Sequence, residues 1–239
     1  KSTVVALLAE IFEQAGKEFG LGGNLDGENF KPALELLLEE KKDLYVLELS
    51  SFQLETTKSL NAEVASILNL SADHMDRYES LDDYCRAKQR IFRGCKQAVI
   101  NRDDKNSYPL ESGDAVVWDF GFGRPSVNGL GLLEEDGDQY LAYQFEKIVS
   151  VTELKVFGQH NISNVLAAMA MAMAVNIDMK PIRAAITKFT GLPHRCQWVA
   201  NVSGVEFYND SKGTNVGATV AAVEGLGQRI PGHIVLIAG

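Results

Sequence analysis

The chain has 239 residues, of which 46% are hydrophobic and 23% charged, which is the balance of a folded globular protein and not of a disordered one. At roughly 150 residues per domain, this length predicts one large domain, or one domain and part of another. The 32 acidic and 23 basic residues give a net charge of −9, which argues against a dedicated binder of nucleic acid or of anionic membranes, because such binders need clustered positive charge.

The cysteines and the apolar runs restrict the location of the protein. Cys85, Cys95 and Cys196 form no Cys-x-x-Cys pair and are odd in number, so we expect free thiols in a reducing compartment. The most apolar run, residues 165–175, is shorter than the ~20 residues that span a bilayer. No transmembrane segment or export signal is predicted.

Apolar spacing and helix breakers predict alternating helices and strands along the first half of the chain. Ser80 is typical of a helix N-cap with Asp83 in the first turn. The predicted helices are 3–16, 32–42 and 81–93, and the predicted strands are 44–49, 64–70, 98–101 and 115–120.

The second half continues with a hairpin turn at 136–138 and helices at 161–175 and 181–189. A domain boundary is predicted at Gly191-Leu192-Pro193. The elements predicted after it are strands 197–202 and 205–208, a helix at 216–225 and a strand at 234–238. Continuous apolar strands that alternate with helices predict an α/β fold with a mostly parallel sheet. Because both ends look cut within elements, we interpret the chain as an internal fragment of a longer protein.

Two polar groups follow or precede predicted elements in a way that is typical of phosphate and metal sites. Lys1-Ser2-Thr3 opens a helix, where a lysine can bind phosphates and a hydroxyl can bind Mg²⁺, although these residues alone also fit a solvated terminus. Glu48 ends an apolar strand, where an acid needs a partner. That partner is either a metal ion or a nearby basic residue.

Three further groups remain open between a functional and a structural interpretation. His74 lies between Asp73 and Asp76 after a strand, which fits a metal ligand or a solvent-facing turn. Asn161 and Asn164 share a helix face and fit either a base-reading pair or helix caps. The polar residues 193–195 and 209–215 surround the predicted boundary and fit either a phosphate-binding hinge or ordinary turns.

Taken together, these motifs resemble the bacterial cytoplasmic Mur ligase family, in the family's order and over nearly the whole chain. Two of the runs, Ser50-Ser51-Phe52-Gln53-Leu54 and Asn209-Asp210-Ser211-Lys212, are similar to those of the member that adds D-glutamate. The other runs that carry the resemblance are Lys1-Ser2-Thr3, Gly22-Gly23-Asn24, Asp73-His74-Met75-Asp76-Arg77-Tyr78, Arg86-Ala87-Lys88, Gly158-Gln159-His160-Asn161 and Gly191-Leu192-Pro193-His194-Arg195.

The resemblance implies a fold and a division into domains. Residues 1–191 correspond to the central P-loop ATPase domain, truncated at its start, with a mostly parallel sheet flanked by helices and a small antiparallel β portion. Residues 192–239 correspond to the start of a Rossmann-like C-terminal ligase domain. The activity implied is ATP-dependent formation of an amide bond, through an acyl phosphate, in peptidoglycan precursor synthesis in the cytoplasm.

The resemblance also implies cofactors, partners and site residues. The expected cofactors are ATP and two Mg²⁺ ions, with an N-carbamate on Lys88 that spacing alone does not indicate. The expected partners are UDP-N-acetylmuramoyl-L-alanine and D-glutamate, with no nucleic acid or membrane, and the expected state is a monomer.

The metal ligands implied are Ser2 and Glu48 for one ion, and His74 and Lys88 for the other. Residues implied in ATP binding are Lys1, Ser2, Thr3, Asn161, Asn164, Arg195 and Asp210. Residues implied at the other substrates are Asn24, Ser50, His74, Lys212 and Thr214. Catalytic roles are implied for Lys1, His74, Lys88 and Lys212.

The chain departs from the family pattern in the longer segment Leu25 to Lys31 and in Gly213, where alanine is common. Three alternatives to an active D-glutamate ligase stay open. The first is that the parent protein is a related ligase such as a folylpolyglutamate synthase, and the second is that it is a nucleotide-binding module without turnover. The third is that the fragment is inert by itself, and we expect the isolated fragment to bind ATP weakly or not at all.

Overall fold

The computed structural model describes residues 1–25, 31–111, 113–213, 216–227 and 232–238. Its elements alternate between helix and strand, as predicted. The helices are α1 (Ser2–Gln14), α2 (Ser51–Thr56), α3 (Leu81–Gln89), α4 (Gln159–Ala174), α5 (Met179–Lys188) and α6 (Val216–Gly227). The strands are β1 (Phe19–Gly23), β2 (Leu44–Glu48), β3 (Val64–Ile67), β4 (Gln97–Asn101), β5 (Val116–Phe120), β6 (Gly129–Glu135), β7 (Asp138–Tyr143), β8 (Glu146–Ser150), β9 (Gln197–Val202) and β10 (Val205–Asn209).

The largest sheet has six strands in the order β3-β4-β5-β6-β7-β8. Strands β3 to β6 pair in parallel, and β6 to β8 form an antiparallel meander. Strands β1 and β2 form a separate parallel pair, and β9 and β10 an antiparallel hairpin. The predicted α/β class, with a mostly parallel sheet and a small antiparallel portion, is confirmed.

The core lies where α1, α4 and α5 pack together and α4 lies on the sheet. In α1, residues Leu7, Leu8 and Ile11 are buried because they recur on one helix face. In α4, the alanine-rich stretch from Val165 to Ala170 is buried on all sides. Small side chains let the helix lie close to both its neighbours and the sheet, so this packing fixes where the helix N-termini lie.

The predicted helix 32–42 is wrong: only a single 3-10 turn, Glu35–Leu38, forms there. Of its leucines Leu36 is buried, whereas Leu34, Leu37 and Leu38 are exposed. Helices gain most of their stability from packing of an apolar face, and this face contacts too little of the described structure to be covered.

The predicted strand 234–238 is also wrong, because residues 233–238 adopt no regular secondary structure. Val235 and Ile237 are strongly exposed. A strand is stable only when a neighbour pairs with it, and no strand within the described residues does so here. No helix among the described residues is both long enough and apolar enough to cross a lipid bilayer.

Candidate active site

A pocket of about 490 Å³ opens at the carboxyl ends of β2 and β3, beside the N-termini of α1 and α4. Most residues predicted as functional line it. From the elements before Gly158, the lining includes Lys1, Thr3, Asn24, Ser50, His74 and Lys88. From the later elements, it includes Asn161, Asn164, Arg195, Asp210 and Lys212. Thr214 and most of the long segment 25–31 lie outside the described residues.

Ser2 and Glu48 form one polar centre beside this pocket. Glu48 is 6% exposed, and the Oγ of Ser2 donates a hydrogen bond of 2.9 Å to its Oε2. The Nζ of Lys1 lies 3.0 Å from Oε1 of the same carboxylate. Because a hydroxyl and a carboxylate oxygen are hard donors of the kind Mg²⁺ prefers, this pair fits the predicted metal site. Lys1 is also the basic partner that Glu48 needs if it has no metal ion, so the geometry fits both interpretations of this acid.

Gly23 sets the position of Asn24 next to that centre. Its φ of +98° is a conformation that favours glycine, and a Cβ there would overlap the carbonyl oxygen of Glu48. The close approach lets the backbone N–H of Asn24 donate a 2.6 Å hydrogen bond to that carbonyl. Asn24 therefore faces the pocket at the end of β1.

Ser50 is the N-cap of α2 and has a local structural role. Its Oγ accepts a hydrogen bond from the backbone N–H of Gln53, and the side chain of Gln53 accepts one from the backbone N–H of Ser50. This capping box explains why a short helix starts directly after β2. The hydroxyl group of Ser50 is thus held at the pocket wall.

Lys88 is 9% exposed on the inner face of α3. Its Nζ lies 5.6 Å from the centre of the Tyr84 ring, one helical turn earlier. Burial lowers the pKa of Lys88 from 10.5 to about 8, and the positive charge of Lys1 acts in the same direction. The carboxylates of Glu48 and Asp73 oppose this shift. More of the amine is therefore neutral and nucleophilic near neutral pH than in an exposed lysine, although the protonated form still predominates at pH 7.

His74 lies on the turn after β3 with a φ of +53°. The carboxylate of Asp73 accepts a 2.9 Å hydrogen bond from the backbone N–H of His74, and its other oxygen lies 3.6 Å from the ring Nε2. The ring also contacts Phe52 and Tyr84. These contacts hold the imidazole at the pocket edge, where its side chain is 45% exposed, so the turn faces both the pocket and solvent, as both interpretations of the sequence require.

Asn161 and Asn164 lie in the first two turns of α4, but neither caps the helix. The N-cap is Gly158, without a side-chain cap hydrogen bond. The Nδ2 of Asn161 donates to the carbonyl oxygen of Phe157 at 2.8 Å, and the Nδ2 of Asn164 donates to Oδ1 of Asn161 at 3.3 Å. The two amides form a connected pair at the pocket wall, so the capping alternative is wrong.

Residues after Gly191 complete the pocket. The Nη2 of Arg195 donates to the Oγ of Ser2 at 3.4 Å, which joins positions 193 residues apart. The Oδ1 of Asp210 accepts a 2.8 Å hydrogen bond from the backbone N–H of Cys196. Burial, aided by Asp210, raises the pKa of Cys196 to about 11. This thiol therefore stays protonated and is a poor nucleophile at neutral pH.

Some pocket residues were not assigned roles from the sequence. Asp73 stands beside His74 in the same motif, and Tyr84 precedes Lys88 by four residues on one helix face, so both had a signal in the spacing. His160 precedes Asn161 and also lines the pocket. His160 lies between α4 and the segments after Gly191, and only the tertiary structure reveals this position.

Among the residues that the structure describes, no group of three or more His, Cys, Asp or Glu side chains could hold a metal ion. The predicted ligand sets do not have that composition: one is Ser2 with Glu48, and the other is His74 with Lys88. Lys88 offers oxygen donors only as a carbamate, because an ammonium group has no acceptor.

The family model for the Mur ligase middle domain matches residues 1–172. The UDP-N-acetylmuramoylalanine–D-glutamate ligase of Pseudomonas savastanoi pv. phaseolicola is 54% identical over all 239 residues, which cover 52% of that protein. The protein of the same name from Pseudomonas aeruginosa is 52% identical with the same coverage, and that from Nitrosococcus oceani is 49% identical over 51% of its length. The chain spans about half the length of the curated relatives it matches.

Solved structures agree on the fold. MurF from Acinetobacter baumannii has a TM-score of 0.73 at 19% identity and covers 95% of this chain and 52% of its own. MurC from Thermotoga maritima has a TM-score of 0.66 at 20% identity and covers 95% of this chain and 51% of its own.

Proposed function

Because the chain belongs to the Mur ligase family through its middle domain, we propose that it is the central part of an ATP-dependent ligase that adds D-glutamate to UDP-N-acetylmuramoyl-L-alanine. The observation that carries this proposal is the 54% identity over the full chain to a relative named for this reaction. The convergence of cationic, amide and carboxylate side chains on one pocket supports it. Synthesis of this peptidoglycan precursor would take place in the cytoplasm.

We assign Lys1, Ser2 and Thr3 to the phosphate groups of ATP. They stand at the N-terminus of α1, where the helix dipole favours negative charge. Ser2 and Glu48 would hold one Mg²⁺, and His74 with Lys88 as an N-carbamate would hold the second. Bound ions would neutralise the charge that develops on the transferred phosphoryl group.

Carbamate formation on Lys88 is supported by its burial and its lowered pKa. The neutral amine adds to carbon dioxide, the new N–C bond forms, and one proton leaves to solvent. The cation thereby becomes an anion with two oxygen donors. His74 and Lys88 line the same pocket, so the carbamate and the imidazole can act on one ion.

The nucleotide lies between the two parts of the pocket. Asn161 and Asn164 offer paired donor and acceptor groups to the adenine edge. Arg195 and Asp210 contact ATP from the far side of the predicted boundary. We keep that boundary at Gly191, with residues 1–191 as the ATPase domain and 192–239 as the start of the C-terminal domain.

Asn24, Ser50 and His74 face the UDP-muramoyl substrate, whereas Lys212 and Thr214 lie near the reacting groups or D-glutamate. The substrate carboxylate attacks the γ-phosphoryl group, which forms an acyl phosphate and releases ADP. The amine of D-glutamate then attacks the acyl carbon, and inorganic phosphate leaves with the amide bond formed. Lys1 and Lys212 stabilise negative charge on the phosphoryl oxygens, so no covalent enzyme intermediate is required.

The test is release of phosphate by the full-length protein that contains this chain. Release should require ATP, UDP-N-acetylmuramoyl-L-alanine and D-glutamate together. Glu48→Gln should reduce the rate by about 100-fold or more, because it removes the anionic oxygen proposed to hold one Mg²⁺ at the phosphates. Glu40→Gln, at an exposed acid, is the matched control and should leave the rate unchanged. Phosphate release that ignored D-glutamate would refute the proposed reaction.

A further inference from the structure

Two glycines from distant parts of the chain bring their backbones together beside His160, which lines the pocket. Gly158 precedes α4 with a φ of +85°, and Gly225 lies in α6. A Cβ on Gly225 would lie 3.1 Å from the Cα of Gly158, and a Cβ on Gly158 would lie 3.2 Å from the Cα of Gly225. Both distances are tighter than ordinary side-chain contacts, so only glycine at both positions permits this approach without a shift.

The imidazole of His160 packs on this glycine contact. Its Cε1 and Nδ1 atoms lie 3.0 and 3.1 Å from the Cβ position of Gly158, and 3.7 and 3.8 Å from that of Gly225. The ring therefore lies against both backbones at once. A substitution at any of these three residues changes how closely α6 approaches the N-terminus of α4.

His160 also faces the residues proposed to bind the nucleotide. It lines the same pocket as its neighbour Asn161 and as Asp210 from the segment after Gly191. Burial lowers the pKa of His160, although the carboxylate of Asp210 acts in the opposite direction, so the ring is neutral at neutral pH. Its neutral state lets the ring pack closely against two backbones without the cost of a buried charge.

We propose that His160 is a positioning residue of the nucleotide site. Its ring packs on the contact between Gly158 and Gly225. It thereby sets the distance between two walls of the pocket: the one formed by Asn161 on α4, and the one formed by Asp210 in the segment before α6. This role rests on the proposed nucleotide site. It differs from direct catalysis, because His160 acts through the placement of α6 and Asp210.

The first test needs no substrate and uses the full-length protein that contains this chain. Hydrogen exchange of the backbone amides in α6 reports how firmly the helix is held. His160→Ala should speed this exchange about tenfold, because the ring that packs on both backbones is lost. His160→Gln retains bulk and polarity and should restore part of the protection. His233→Ala, at an exposed histidine, is the control and should leave exchange in α6 unchanged. Unchanged exchange in His160→Ala would overturn the proposal, whatever the reaction of the parent protein.

The second test uses the full-length protein that contains this chain. His160→Ala and Gly225→Ala should each raise the KM for ATP about tenfold and change kcat by less than about twofold, with His160→Gln in between. A fall in kcat at constant KM would overturn the positioning role, because it would place His160 in the chemical step. If the wild-type protein shows no ATP-dependent phosphate release while α6 is still loosened by His160→Ala, the proposed function fails and the structural role of His160 stands.

Discussion

Lys88 shows how much a single residue can depend on its surroundings. A lysine on a helix is usually a solvated surface residue, and its spacing in this sequence gives no other indication. In the fold it is buried beside the Tyr84 ring, and this burial, together with the positive charge of Lys1, lowers its pKa to about 8 although the carboxylate of Glu48 acts in the opposite direction. The tertiary structure therefore supplies the reactivity that the sequence pattern alone could not predict.

We predict that Lys88 takes up carbon dioxide with a pH dependence set by this pKa. The reactive form is the neutral amine, so the carbamate signal in ¹³C NMR with labelled bicarbonate should rise as the pH increases through about 8. An ordinary exposed lysine, with a pKa near 10.4, should react far less in that range.

The measurement is the difference spectrum between the full-length wild-type protein and its Lys88→Met variant, because the difference removes the signals of all other amines. Lys96→Met, at an exposed lysine, is the control. A carbamate signal of equal size in Lys88→Met and in the wild type would contradict the prediction.

At the scale of elements, agreement between sequence and structure depends on whether an apolar face is covered. The periodic residues of α1 and α4 face each other, and both helices form close to their predicted bounds. The leucines of residues 34–38 and the apolar run 234–238 have equally clear patterns, but much of their surface stays exposed in the described structure. Periodicity predicts that a segment has an apolar face, whereas the partner that covers it decides whether the element forms.

The contact of α1 with α4 and α5 should carry much of the stability of the chain. Leu7 is fully buried in it. We predict that Leu7→Ala lowers the free energy of unfolding by about 2–5 kcal/mol, because it leaves a cavity in a close-packed core. Urea denaturation measures this change. Glu13→Ala, on the exposed face of the same helix, should change it by less than about 0.5 kcal/mol, and equal effects of both substitutions would contradict this account of the packing.

At the scale of the whole molecule, residues far apart in sequence converge because the carboxyl ends of β2 and β3, which belong to separate sheets, open onto one pocket beside the N-termini of α1 and α4. The rule that ligands bind beyond the carboxyl ends of parallel strands predicts that Glu48 and His74 face the same way, and His74 lines this pocket while Glu48 lies beside it. It could not predict that Arg195 reaches Ser2, or that Gly225 contacts Gly158, since both contacts depend on how the segment after Gly191 folds back. The individual roles came from the family resemblance and not from spacing.

The central claim is that this pocket holds ATP with two magnesium ions, and an anomalous-scattering experiment tests it most directly. The full-length protein would be crystallised with Mn²⁺ in place of Mg²⁺ and a non-hydrolysable ATP analogue. We predict two manganese peaks in the pocket, one bound by Ser2 and Glu48 and the other by His74 and a carbamylated Lys88, with the adenine against Asn161. Nucleotide density without a peak at Glu48, or manganese bound away from this pocket, would contradict the account.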